Sequence, residues 1–208
     1  MILTDSERTI LSEVINEIIN AGFAEVSKQQ LGFNRWYWDK KSDGCFRLVT
    51  HADSGVSKGC FFCKLLPGIV IKTPILKEDY CKKELDNYYK AIDSGFERFF
   101  AEIEFFGEIN GIQFYIQVAA DNNKARDSLW NSASESFPRY LYETEDEYCC
   151  AVNEFLEEIS DEDRVETFFG EIPKGFIEFL WTNEINDLHE GNIGLIGERR
   201  VIFDYSGW

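Results

Sequence analysis

The chain has 208 residues, with 38 acidic side chains against 21 basic ones and a net charge of −17. Hydrophobic residues make up 44% and aromatics 15%, enough for a sizeable core and too many for a disordered chain. The charge excludes sequence-independent binding to nucleic-acid phosphates or anionic lipid, so neither nucleic acid nor membrane is expected as a partner. At this length one compact domain or two small lobes are expected. No run reaches the ~18 apolar residues of a membrane helix, and Met1-Ile2-Leu3-Thr4-Asp5 lacks the basic start of a signal peptide. A cytoplasmic protein with its six cysteines as free thiols is therefore the expectation.

In chain order, Thr4, Asp5 and Ser6 offer N-caps. Ile10, Leu11, Val14, Ile15, Ile18 and Ile19 then fall at helical spacing up to Gly22, predicting an amphipathic helix in an N-terminal extension, 1–32. Residues 33–50 read as strands around the turn Ser42-Asp43-Gly44. A polar loop, Asp53–Gly59, precedes a hairpin of Cys60–Leu65 and Ile69–Thr73 joined at Leu66-Pro67-Gly68. Residues 78–93 read as a helix carrying Tyr80, Leu85, Tyr88, Tyr89 and Ile92 on overlapping faces. Ile103–Ile109 and Ile112–Val118 flank Asn110-Gly111, a strong hairpin signal. The stretch 33–120 is thus expected to be an antiparallel sheet with one helix.

From 121 to 208 the pattern turns helical, over 145–159 and 162–182, with Pro173 and Gly175 kinking or dividing the second. A closing hairpin is expected at Ile193–Ile196 and Val201–Phe203. Between Glu143 and Glu171 lie 12 acidic residues and one basic one, which reads as a solvated helix face.

Chemistry concentrates at Asn186-Asp187-Leu188-His189-Glu190-Gly191-Asn192 and Ile202-Phe203-Asp204-Tyr205-Ser206-Gly207. This resembles the Asp-x-x-x-x-Asn loop and metal-binding Asp of the protein-kinase-like superfamily. Its form looks like the atypical and aminoglycoside-phosphotransferase branches and small phage-encoded Ser/Thr kinases. The resemblance implies a two-lobe α+β fold: an antiparallel sheet lobe with one helix and a truncated, mainly helical second lobe. It implies ATP and Mg²⁺ as cofactors, Asp187 as the base beside the attacking hydroxyl, and Asn192 and Asp204 as metal ligands. Ser54, Gly55 and Ser57 would lie in the phosphate-covering loop. Val70-Ile71-Lys72 resembles Val-Ala-Ile-Lys, so Lys72 would contact the phosphates. Glu84 would pair with Lys72, with Glu78 as the alternative. Gln117 and Val118 would begin the segment that binds adenine through backbone groups.

The pattern departs from the family where Ile185-Asn186-Asp187 replaces His-Arg-Asp, so control through a phosphorylated loop paired to that Arg is not expected. The sequence given also ends four residues after Asp204, which leaves no counterpart to the usual substrate platform. Two readings follow. One is a phosphotransferase acting on protein Ser/Thr hydroxyls, with small-molecule hydroxyls next. The other is a catalytically silent kinase-fold protein whose acidic 143–171 segment docks on a basic partner surface, to inhibit or titrate it. A mimic of DNA is a weaker third. Cys60-Phe61-Phe62-Cys63 reads as structural, since a redox pair belongs at a helix N-terminus. His189 reads as loop architecture and His51 as a surface residue, while Trp36 and Trp38 read as core.

Overall fold

The computed structural model describes residues 3–20, 46–48, 58–74, 79–122, 141, 143–158, 161–188 and 190–206. Two compact units make up the chain, one of Met1–Glu97 and Ala101–Ala119, the other of Arg98–Phe100 and Ala120–Trp208. The architecture mixes helices with an antiparallel sheet, as the hairpin signals and helical periodicity led us to expect.

The first unit holds α1 (Asp5–Asn20), β1 (Phe46–Leu48), β2 (Lys58–Cys63), β3 (Ile69–Pro74), α2 (Tyr80–Ser94), β4 (Ile103–Ile109) and β5 (Ile112–Val118). The strands form one antiparallel sheet in the order β1-β2-β3-β5-β4. Asn110 and Gly111 both take positive φ, 54° and 75°, which is the backbone a two-residue hairpin turn needs to follow the strand twist. A bulge between Phe105 and Gly107 shifts the β4–β5 register.

Helix α1 begins with a capping box. The Glu7 amide donates to Thr4 Oγ1 and the Thr4 amide donates back to Glu7 Oε2, satisfying two donors that a helix start leaves open. These hydrogen bonds hold the Glu7 carboxyl below its usual range. Its apolar stripe, Leu11, Val14, Ile15 and Ile18, is fully buried against Phe61, Cys63, Ile71, Phe114 and Ile116. Those five are alternate residues of β2, β3 and β5, so they share one sheet face. The N-terminal helix, for which the sequence offered no partner, is thus the cover of that face.

The second unit holds α3 (Glu145–Glu158), α4 (Asp161–Phe169), α5 (Phe176–Thr182), β6 (Ile193–Ile196) and β7 (Arg199–Ile202). Helix α3 also opens on a capping box, between Thr144 and Glu147. The expected 162–182 helix is divided into α4 and α5, as Pro173 and Gly175 suggested. Phe100 is fully buried among Phe176, Phe179 and Tyr205, with ring centroids 5.1–6.2 Å away. Gly194 admits the chain at Ala120 so closely that an added Cβ would lie 2.6 Å from the Ala120 Cβ. That approach lets Asp121 and Leu195 exchange backbone hydrogen bonds.

One expectation changes. Lys58 and Gly59, assigned to the polar loop, are the first residues of β2, paired with Pro74 and Thr73. In α2, Tyr89 and Ile92 are exposed, while Cys81, Glu84, Asn87 and Ala91 are buried with Leu85. The inner face of this helix is partly polar, so apolar character alone does not mark it. Of the strands expected over 33–50, Phe46–Leu48 is observed as β1; the rest of that stretch, with Trp36, Trp38 and Ser42–Gly44, lies outside the described residues, as do His51, Glu78 and His189.

The burial of α1 makes a direct prediction. Ile15→Ala should lower stability by about 2–5 kcal/mol, as cavity-forming core substitutions do. Ile92→Ala on exposed α2 surface should change it by less than about 0.5 kcal/mol. Urea titration of both variants measures the difference.

Candidate functional site

The sheet face opposite α1 is built differently. Cross-strand partners share a face. Lys72 is paired with Cys60 on one side and Tyr115 on the other, so these three lie on one face, joined by Lys58, Val70 and Gln117 two residues away along their strands. Lys72 and Lys58 are 3% and 5% exposed. A chain that hides two lysines in a sheet must supply them with a carboxylate.

Helix α2 supplies it. Glu84 is completely buried. Its Oε2 accepts from Lys72 Nζ at 2.7 Å and its Oε1 accepts from Lys58 Nζ at 2.7 Å. The structure therefore brings Lys72 together with Glu84. It adds Lys58, which sequence reasoning missed by leaving it in a loop. The available signal was strand alternation running backward from Cys60 to Lys58.

Asp79 fixes the rotation of α2. Its Oδ1 accepts from the Lys82 amide at 2.8 Å as the N-cap. Its Oδ2 accepts from the Tyr115 hydroxyl at 2.7 Å. One carboxylate thus caps the helix and ties it to β5, the strand beside Lys72. Burial, then the neighbouring Asp79 charge, raise the Tyr115 phenol well above its ordinary range. Burial also pushes up the Cys81 thiol, one helical turn before Glu84, with the Glu84 charge adding to the effect; this is the opposite of what a reactive thiolate needs. Cys60 and Cys63 stand an odd number of residues apart on β2 and point to opposite faces. Neither forms a disulfide, and side chains on opposite faces of one strand do not act as a Cys-x-x-Cys pair.

At the end of β5, the Val118 amide donates to Glu102 O and the Ala119 amide to Gly68 O, each at 2.9 Å. Those two donors are committed to the fold, and a base recognised at Gln117–Val118 must use other groups. One such group is present. Gln117 is 1% exposed, and among the described residues its buried Nε2 has no hydrogen-bond partner. An unpaired buried amide costs about 1–3 kcal/mol and is a feature that ligand-binding positions retain. Ser54, Gly55 and Ser57 lie outside the described residues.

The second unit carries the Asp187–Asp204 constellation. Leu188 and Ile185 are buried, anchoring the loop that follows α5. Asn192 Nδ2 donates to the Asp187 carbonyl at 2.8 Å and to Asp187 Oδ2 at 3.2 Å. The β6–β7 ladder continues past the strand ends, where the Phe203 amide donates to Asn192 O at 2.9 Å. Asp204 is thereby brought next to Asn192 by a hairpin, and it accepts a 3.4 Å contact from Ser206 Oγ. Asp187 and Asp204 are half-buried and Asn192 is buried.

Among the described residues, no group of three or more His, Cys, Asp or Glu could hold a metal alone. One carboxylate and one amide oxygen nevertheless suit Mg²⁺, which keeps several waters and shares its shell with phosphates. An open depression of about 650 Å³ in the second unit is lined by Arg98, Arg199, Arg200, Phe99 and Phe169. Its arginines have structural tasks: Arg200 donates to the last carbonyls of α4 (Thr167 and Phe168), Arg199 donates to Arg98 O, and Arg98 stacks on Phe99. Among the described residues no helix is long and apolar enough to cross a membrane. Set against protein-family models, curated proteins and solved structures, the chain matches none.

Two predictions follow from the first unit's site. Gln117→Met removes an unpaired buried amide and should raise stability by about 1–3 kcal/mol in thermal or urea unfolding. Tyr115→Phe should cost about 1.5–3 kcal/mol at neutral pH, the usual loss for a hydrogen bond to a charged group. Because the native state holds the Tyr115 proton more tightly than the unfolded chain, stability should fall as pH rises above the ordinary tyrosine range near 10. That fall should be shallower in Tyr115→Phe, as read from urea midpoints across pH 8–11.

Proposed function

We propose that this protein is an ATP- and Mg²⁺-dependent phosphotransferase with a kinase-like two-lobe organisation, acting on Ser/Thr hydroxyls of a protein. The observation that carries the reading is the buried Lys72–Glu84 pair at 2.7 Å. It joins a lysine on β3 to a glutamate on α2, the helix between β3 and β4, as the resemblance requires. The hydrogen-bonded Asp187–Asn192 loop, with Asp204 after the hairpin, supports it from the other unit.

The residues divide the work as follows. The Lys72 ammonium, aimed by Glu84, binds phosphate oxygens. Asp187 orients the acceptor hydroxyl and takes its proton as that oxygen attacks the γ-phosphorus, the bond from phosphorus to the β,γ-bridging oxygen breaks and ADP leaves. Its contact with Asn192 Nδ2 keeps the carboxylate in place for that task. Asn192 and Asp204 would hold Mg²⁺, which would supply charge neutralisation at the phosphates. The Gln117 amide is the side-chain donor on the same sheet face as Lys72, available to the nucleotide.

A second reading is favoured by one observation: Glu143, Glu145, Asp146 and Glu147 are all exposed at the start of α3. They make an acidic surface suited to a basic protein partner, as substrate or as target of a silent binder.

Incubation with γ-labelled ATP and a protein mixture separates the two. Transfer of label should fall about 100-fold or more in Asp187→Ala, the usual contribution of a positioned base. Asp204→Ala should lose Mg²⁺-dependent ATP binding. Absence of transfer by the wild type, with a partner retained on the column and released by salt, would replace the enzyme with the binder.

A further inference from the structure

We propose that Lys58 is a second phosphate-binding residue, and that Lys58 and Lys72 form a two-ammonium cradle for a polyphosphate chain, with Glu84 as the positioning residue for both. This rests on the phosphotransferase reading and extends it to a residue outside the resemblance.

The sheet register places both lysines on one face. Lys58 is two residues before Cys60, and Cys60 is the cross-strand partner of Lys72. Alternation along β2 therefore sends the Lys58 side chain to the Lys72 side. The two ammonium groups then meet the same carboxylate through different oxygens, at 2.7 Å each. Two ammonium groups on the two oxygens of one carboxylate stand no further apart than a triphosphate chain can span.

Burial cost argues that this arrangement serves a ligand. Withdrawing charges from water costs several kcal/mol per ion, and well-packed apolar residues of similar size are often neutral or better for stability. Three ionised side chains are nevertheless gathered here, at 0%, 3% and 5% exposure. An ammonium carries three donors and acts as a compact point charge, a form well suited to phosphate oxygens. The same face also carries the unpartnered buried Gln117 amide, a second polar group that a bound ligand would satisfy.

The test uses the full chain and two probes, Mg·ATP and inorganic tripolyphosphate, with binding measured by calorimetry. Lys58→Met and Lys72→Met should each weaken tripolyphosphate binding roughly 10- to 100-fold, as expected for losing one charged hydrogen bond. Lys58→Arg should restore most of the affinity, and the double variant should bind more weakly than either single one. A Lys58→Met protein with wild-type circular dichroism and unchanged tripolyphosphate affinity would overturn the cradle. Should that variant not fold, wild-type protein carrying ¹³Cε-lysine gives the answer by NMR. Tripolyphosphate should shift both the Lys58 and the Lys72 signals, and a shift of Lys72 alone overturns the proposal. The two layers fail differently. Tripolyphosphate binding without ATP binding removes the phosphotransferase and leaves the cradle. ATP binding that depends on Lys72 but not Lys58 removes the cradle and leaves the phosphotransferase. Binding of neither probe removes both.

Discussion

A carboxylate with no access to water stands at the centre of the first unit. Glu84 is bridged by Lys58 and Lys72, and its burial is tolerable only while both oxygens are engaged. That condition reaches outward. Helix α2 must start at one place and face one way, which is what Asp79 secures by capping the helix and accepting from Tyr115. The strands must keep a register that sets Lys58, Lys72 and Tyr115 on the same face. A slip of one residue would turn both lysines into the apolar core beneath α1.

The sheet accordingly separates two environments across its thickness. One face is dry and apolar, closed by Leu11, Val14, Ile15 and Ile18 of α1. The other is ionic and hydrogen-bonded. The two-residue period of β-strands makes this division possible within a few residues: Ile71 belongs to the core and Lys72 to the ion pair. In the second unit, one side chain organises the acidic constellation. Asn192 bonds to Asp187 through its amide nitrogen and to Phe203 through its backbone carbonyl. It thus links the loop after α5 to the residue before Asp204.

Much of the local structure could be read from the chain, because local chemistry dictates it. Asn110-Gly111 can hardly serve anything but a tight hairpin. Pro173 and Gly175 interrupt a helix for backbone reasons, whatever packs nearby. Thr4 with Glu7 and Thr144 with Glu147 have the capping-box spacing. The choice of Glu84 as the partner of Lys72 likewise agrees with the observed ion pair, since a helix after the lysine strand brings it within reach. Polarity ordinarily marks solvent, which is why Lys58 is expected in the polar loop Asp53–Gly59. A buried ion pair reverses that rule.

By itself, then, the amino-acid sequence determined the hairpins, the helix starts and breaks, the amphipathic stripe of α1 and the Asp187–Asn192–Asp204 spacing. Each depends on residues only a few positions apart. The tertiary structure alone decided which surface α1 covers, that Lys58 shares Glu84 with Lys72, that the Val118 and Ala119 amides are already committed, and that Gln117 keeps an unpaired amide in the interior. These are outcomes of long-range packing. Whether a polar atom meets water, a partner or nothing depends on which distant segment lies against it.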